Sequence, residues 1–509
     1  MRLKHAVRCA TLLCLSAQVA FAQADVGQRV QQLEKDLHQA QSELSETRVQ
    51  LQQLVEEVRG LRRQLGAPAA AAASPGSPAP AAAPGYAAAT SPEPGQSIIQ
   101  SKPVETLNDV RENQELIAQQ VEEQHQTKVE SSSRYRVKLS GLVLMNAFAN
   151  SGSVDVPDLA NRAFAPTAKT GIGATMRQTV LGAQVFGPEV AGAQTSGSIA
   201  VDFFGGFPQV PYGATAGLIR LRTGSLRFDW KDNSVVVGQE SPFFAPLSPT
   251  SFATIAEPAL SWAGNLWVWT PQIVAEHRFR QSEDSWFSIQ GGLLMPLTEQ
   301  IPDSPQYTGI EAGQRSRRPA LGTEFSWNAK AFGQPLMIGI GAYDSHLKFD
   351  FGRETESWAV TGNWRLPLGS RFEFSGEGYR GKALGGLGGG VWQSVAYNGD
   401  PSLSTTLFRP LNSIGGWSQL KYKLNPKWEL NGAAGEDNVL SRDILWAGGL
   451  RGEFTPRLLG RNREAFGNVI FHPRSNLVLS AEYRHIWTWQ ANGASRTADH
   501  VNLAAGISF

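Results

Sequence analysis

From Arg134 to Phe509, apolar and polar residues alternate with a period of two, in stretches of roughly 10 to 15 residues. Ile199, Val201 and Phe203 share a face against Ser198, Ala200 and Asp202. Trp358, Val360, Trp364 and Leu366 alternate against Thr361, Asn363 and Arg365. Leu477, Leu479, Ala481, Tyr483, Trp487 and Trp489 alternate against Ser480, Glu482 and Arg484. Such a pattern puts successive side chains on opposite faces of a strand. The final stretch, "DHVNLAAGISF", keeps it to the last residue: Val501, Leu503, Ala505, Ile507 and Phe509 on one face, Asn502, Ala504, Gly506 and Ser508 on the other. Termini usually fray into polar residues. This strand is expected to be paired along its whole length.

Half-buried sheets of soluble sandwiches alternate as well, but three features separate this chain from them. Its strands are longer than the usual five or six residues and suit tilted membrane strands. Aromatic residues cluster near strand ends, as in "NLWVWT", "HIWTWQ" and "NPKWEL", where interfacial girdles sit. Short connections ("FGPEVAG", "WKDNS", "RQSED", "FGQP", "LGS", "LNPK", "HPRSN") interleave with long ones near 151–170, 205–216, 242–265, 297–316, 344–356, 382–412, 435–458 and 490–498. Seven short turns and eight long loops imply about sixteen antiparallel strands. No post-leader stretch offers the 18 or more apolar residues of a membrane helix. A closed barrel is then the one way across lipid, because it alone satisfies every backbone group without a helix. The fold expected over 134–509 is an all-β transmembrane barrel with a polar lumen, preceded by an α-helical coiled coil.

Residues 1–22 read as a signal peptide: a basic "MRLKHAVR", a short apolar run, and Ala20 and Ala22 around Phe21 as a cleavage pattern. Over 25–66 the apolar residues keep a heptad spacing, with Val30, Leu37, Leu44, Leu51, Val58 and Leu65 at a and Leu33, Leu54 and Leu61 at d. Arg29 with Glu34, Glu43 with Arg48 and Glu57 with Arg62 flank the seam. This segment is expected to self-associate, with dimer and trimer both open. Residues 67–105 are an Ala/Pro-rich linker unable to build a core. Thr106 and Asp109 cap the start of a short helix over 106–130.

Composition narrows the function. Forty-six Lys plus Arg against 45 Asp plus Glu leave a net charge of +1, which speaks against a nucleic-acid partner. Both cysteines, Cys9 and Cys14, fall in the leader, so the mature chain is not a disulfide scaffold. The mature histidines lack metal-ligand spacing, no catalytic triad is legible, and no cofactor is expected. "GGLGGG" at Gly385–Gly390 lacks the Lys-Ser/Thr of a phosphate loop and reads as a flexible external loop.

Leader, coiled coil, long alternating strands, aromatic rims and terminal "GISF" together resemble the Gram-negative outer-membrane porins. A coiled coil ahead of the barrel is similar to the DcaP-like trimeric porins. The resemblance implies a homotrimer in outer-membrane lipid with its N-terminal segment in the periplasm. It also puts Phe509 at the position read by the barrel assembly machinery. The third long loop, "PFFAPLSPTSFATIAEPALSWAGN", would fold into the lumen, and its apolar composition makes exposure at the surface costly. Glu257 is its one charge. Arg220 and Arg222 alternate against Ile219 and Leu221, and Glu276, Arg278 and Arg280 against Ala275, His277 and Phe279, so these charges should point inward. The changed parity of Arg227 implies a bulge near Gly224. Some of these arginines are expected to face Glu257 across a constriction, favouring anions. Over 134–509, 34 Lys plus Arg against 30 Asp plus Glu leave a surplus of +4, too small to decide selectivity. The function expected is passive diffusion of small hydrophilic solutes. A channel selective for organic acids such as dicarboxylates, and a tether from the outer membrane to peptidoglycan, remain open.

Overall fold

The structure, a computed structural model, describes residues 136–164, 170–211, 213–299, 309–448 and 458–509. The leader, heptad segment, linker and following helix of the sequence reading lie outside the described residues. Sixteen antiparallel strands form one closed sheet. The first eight are β1 (Arg136–Ser151), β2 (Thr170–Thr175 and Val180–Val190), β3 (Ala193–Asp202), β4 (Arg220–Asp229), β5 (Asn233–Glu240), β6 (Thr270–Ser282), β7 (Ser285–Leu294) and β8 (Ala320–Ala331). The rest are β9 (Gln334–Lys348), β10 (Glu354–Pro367), β11 (Phe372–Lys382), β12 (Asn412–Asn425), β13 (Trp428–Val439), β14 (Leu459–Arg474), β15 (Leu477–Gln490) and β16 (Ser495–Ser508). β2 counts once because both of its segments pair with β1. A two-stranded ribbon, Val395–Tyr397 with Phe408–Pro410, sits in the loop after β11. Among the described residues no helix is long and apolar enough to cross a membrane.

Closure falls where the last strand meets the first. β16 pairs with β1 from Leu142–Ser508 to Ser151–Asp499. Beyond that ladder Phe509 donates its N–H to the Gly141 carbonyl (3.1 Å), and Gly141 donates back (3.0 Å). The terminal residue is thus part of the seam.

The two faces of the wall differ in kind. On β16, Val501, Leu503 and Ile507 are 44, 57 and 42 % exposed on the outside, while His500, Asn502 and Ala504 are 0, 1 and 5 % exposed on the inside. A soluble sheet buries its apolar face; this one shows it. The same inversion runs through β6 to β9, where Ile273, Leu293, Phe325 and Ile340 point out and Glu324 and Ser326 point in. Outward rings stack in a belt near the short turns, Trp428 on Phe471 (4.3 Å) and Phe372 on Tyr422 (4.5 Å).

Three expectations need correction. The connections expected near 344–356 and 490–498 are short, spanning 349–353 and 491–494. At the first, the hairpin continues past the apolar band, held by Lys348–Glu354 (2.7 Å) and His346–Glu356 (2.9 Å) across its outer face. The parity change lies at Arg222 rather than Gly224, since Ala200 opposes Thr223 while Val201 opposes Leu221. Trp267 and Trp269 of "NLWVWT" belong to no girdle: Trp267 is 4 % exposed and meets Trp269 edge-on inside the long-loop end.

Deleting Phe509 removes two seam bonds, about 1 kcal/mol each. The folded, fast-migrating form should then survive to a temperature lower by roughly 2–4 °C in a heat-modifiability gel. An unchanged transition would mean the seam does not depend on its last residue.

Candidate functional site: the inward loop of the barrel

The loop 241–269 leaves the wall between β5 and β6 and turns inward. Its successive residues bond to the inner wall along an arc that runs from β10 round through the seam to β4. The Phe244 carbonyl accepts from Thr361 on β10 (2.5 Å), and the Leu247 N–H donates to Glu377 on β11 (2.6 Å). Thr250 donates to Gln419 on β12 (2.6 Å) and accepts from Asn468 on β14 (2.9 Å). Ser251 donates to Glu482 on β15 (2.6 Å), and the Phe252 carbonyl accepts from Asn146 on β1 (2.8 Å). Gln178, in the break of β2, donates to the Ala253 carbonyl (2.8 Å) and accepts from Ile255 (2.7 Å). Arg222 and Arg220 on β4 close the circuit on the carbonyls of Ile255 (2.8 Å) and Ala256 (2.6 Å). The loop is a hoop laid against the inside of a hoop.

Why the sequence folds this way follows from satisfaction of polar groups. Inward side chains of a wide barrel could stay hydrated, and the sequence reading expected that. Here many are dry, so each needs a partner. The loop supplies carbonyls and N–H groups, and the wall supplies Gln178, Asn146, Gln419 and Asn468. Its return leg approaches β12 and β13 so closely that a Cβ on Gly264 would strike the backbone of Gly416; its φ is +97°. Only glycine fits there.

Apolar packing fills the rest of this region. Phe243, Phe244 and Leu266 cluster with Tyr343 and Tyr379 of the wall and with Leu384 and Leu387 of the loop after β11. The glycine run Gly385–Gly390 is therefore buried, not a free loop: a Cβ on Gly386 would meet the Leu297 backbone, and Gly388 sits at φ +91°. Stacked rings tie the loops together, with Arg162 over Trp262 (3.6 Å), Trp262 on Trp392 (5.0 Å), and Arg222 over Trp269 (4.7 Å).

The residues singled out in the sequence separate into two places. Arg220 and Arg222 share one carboxylate, that of Asp202, at 2.7 and 3.1 Å. Asp202 is sealed, but the two arginine side chains remain 26 and 16 % exposed. Two cations against one anion leave a net positive charge touching water. Glu257 follows Ala256 directly, yet it bonds Asn161 (3.1 Å) and Ser261 (3.3 Å) rather than either arginine. Burial pushes its carboxyl up to about 7, Asp155 adding to the rise and Arg220 opposing it. Arg278 and Arg280 point inward but near the short turns, held by Glu276 (3.0 Å) and by Asp232 (2.7 Å) in the β4–β5 turn. They do not meet the loop. Phe509 stands at the seam described above.

Sequence reasoning missed Gln178, the pivot of the hoop, although its signal was present. Alternation breaks between Thr175 and Val180, and that break lets Arg177 and Gln178 enter the interior, where they are 7 and 0 % exposed. It also missed the buried set in which Arg484 meets Glu464 (3.1 Å) and Glu482 (2.9 Å) behind the loop. Here two carboxylates share one cation, but none of the three reaches water.

The fold and its inner loop define a class: closed sixteen-stranded antiparallel barrels with a long loop folded against the inner wall. Among solved structures, the chain is similar to the outer-membrane channel DcaP of Acinetobacter baumannii, with a TM-score of 0.57 and 16 % identity over 75 % of this chain and 100 % of that one. It also aligns with an anion-selective porin from Comamonas acidovorans (TM-score 0.48, 10 % identity, 74 % of this chain, 100 % of that one). A third is OmpF of Salmonella typhi (TM-score 0.43, 10 % identity, 74 % and 98 %). No family model and no curated protein matches. The resemblance to DcaP-like porins read from the sequence is thus met at the level of the fold.

Two outcomes follow from this geometry. Because the Glu257 carboxyl titrates above the usual carboxylate range, the folded chain binds more protons than the unfolded one up to about pH 7. The stabilisation it brings is lost as pH rises through that value. Ionisation adds a negative charge to the loop. At ~8 Å in water that is about 0.5 kcal/mol, so reversal potentials should move toward cations about twofold between pH 6 and 8. The Glu257→Gln variant should remove that titration. Separately, Gln178→Ala should free the loop from β2, raising single-channel conductance and open-channel noise while the barrel stays heat-modifiable.

Proposed function

We propose that this chain is an outer-membrane porin, passing small hydrophilic solutes by diffusion through a lumen narrowed by the loop 241–269. One observation carries the reading: a closed wall turns aliphatic side chains outward and polar ones inward, with a long loop bonded around its interior. Lipid tolerates such an outer face, and only a closed sheet leaves no backbone group unpaired within it. The protein acts without catalysis or cofactor in this reading, as a homotrimer that assembles through the barrel and the N-terminal heptads. Phe509 serves the assembly machinery as its terminal aromatic signal.

A preference for anions is the finer part of the proposal. Its support is local: the Arg220–Arg222–Asp202 set keeps an unmatched positive charge in contact with water, while the Arg484 set with its surplus carboxylate is sealed. Arg278 and Arg280 lie at the other mouth and are already paired, so they add little. Organic acids, the substrates that the DcaP-like resemblance implies, would be drawn by the same unmatched guanidinium.

The test is a planar-bilayer recording of the purified full chain. Three-step closure, a preference for chloride over potassium that weakens in Arg222→Gln, and block by an added dicarboxylate are the expected results. Cation preference in the wild type would overturn the anion reading, and no conductance at all would overturn the porin reading. The tether role draws on the heptads alone; deleting residues 25–66 should leave conductance intact under the porin reading and weaken the envelope if the tether is primary.

A further inference from the structure

We propose that the outer wall carries a binding site for a phosphate-bearing lipid of the outer leaflet, in a groove beneath Arg317 and Arg318. The inference rests on the membrane placement proposed above, with the long loops facing outward. The groove, about 580 Å³, lies where β5, β6 and β7 reach their long-loop ends. Val237, Ile273 and Leu293 form its floor, and all three project from the wall, 37, 51 and 44 % exposed. Arg317 and Arg318 form its upper edge.

Local structure explains how two adjacent arginines come to stand there. A short helix, Ala312–Ser316, follows β7 and is held by a capping box at Glu311. Its end at Arg317 takes the left-handed conformation (φ 55°), and Pro319 leads directly into β8. The reversal sets the Arg317 and Arg318 side chains over the outer wall. Arg315, on the same helix, is already matched by Asp350 (3.1 Å). Two more outward cations at this end are matched, Lys348 by Glu354 and Arg463 by Glu436. Arg317 and Arg318 are exposed and, among the described residues, neither meets a carboxylate.

The chemistry of the occupant follows from what is adjacent. Aliphatic side chains below suit an acyl chain, and two unmatched guanidinia immediately above suit a phosphate, which arginine binds through paired N–H donors. Basic side chains at a bilayer surface are attracted to anionic headgroups. A soluble anion would satisfy the arginines but leave the groove wet, and a neutral lipid would fill the groove but leave the charges unmatched. A phosphorylated lipid does both.

The full chain in detergent, titrated with diphosphoryl lipid A and with the same lipid stripped of its phosphates, tests this by native mass spectrometry. The wild type should bind one phosphorylated lipid per barrel at about a tenfold lower concentration than the stripped form. Arg317→Glu combined with Arg318→Glu should abolish that difference, while Ile273→Trp, which fills the floor, should weaken both forms together. Equal binding by the charge variant and the wild type overturns the site. So does intermolecular cross-linking of an Ile273→Cys variant, which would mean that a second copy covers the groove. A barrel that stays heat-modifiable and conducts yet takes up no lipid A sinks this site and leaves the porin reading standing.

Discussion

A backbone amide in hydrocarbon has no water to fall back on. Every N–H and C=O in the wall must find its partner across to the next strand, and the last strand must find the first. That constraint reaches into details that look unrelated. It explains why β16 runs in register to its end and why Phe509 itself is bonded to Gly141. It also explains why the break in β2 is patched: Thr179 accepts from the Leu144 N–H (3.1 Å), covering β1 where its ladder partner is missing.

Closure decides the outside, and the loop decides the inside. A sheet of sixteen strands encloses more space than its own side chains fill. Here the 241–269 loop takes up part of it by adopting the wall's polar groups as its anchors, from Thr361 on β10 round to Arg220 on β4. No single bond in such a circuit is worth much, about 1 kcal/mol. Spread over so many strands, they give the loop one position rather than an ensemble. The charges left in contact with water are then a remainder of that arrangement: Arg220 and Arg222 hold the loop through their N–H groups and still outnumber Asp202.

Much of this was legible in the sequence, because a period of two with an apolar outer face is a direct record of which side chains point out of the barrel and which point in. Strand number, the seven short turns and the inward direction of Arg220 and Arg222 came from that record. Aromatic residues were read less well. Trp428 and Trp487 mark strand ends on the outer face, whereas Trp267 and Trp269 pack into the interior, and local sequence does not distinguish a girdle from a loop anchor. The same holds for "GGLGGG": glycine runs suit free loops and tight approaches alike, and only the neighbours Leu297 and Trp267 decide between them. Glu257 lies in the expected loop, and its hydrogen bonds go to Asn161 and Ser261, because the groups a loop residue meets depend on where the chain crosses the lumen. Gln178 went unread because a lapse in alternation over 176–179 does not by itself say that side chains turn there into the interior.

The account turns on which face of the wall meets lipid, and site-directed spin labels along β16 measure this directly. In lipid vesicles, labels at Leu503, Ala505 and Ile507 should collide readily with dissolved oxygen and poorly with a water-soluble nickel chelate. Labels at Asn502 and Ala504 should lose the oxygen signal, giving a period of two. A flat profile, or oxygen access in phase with Asn502, would contradict it.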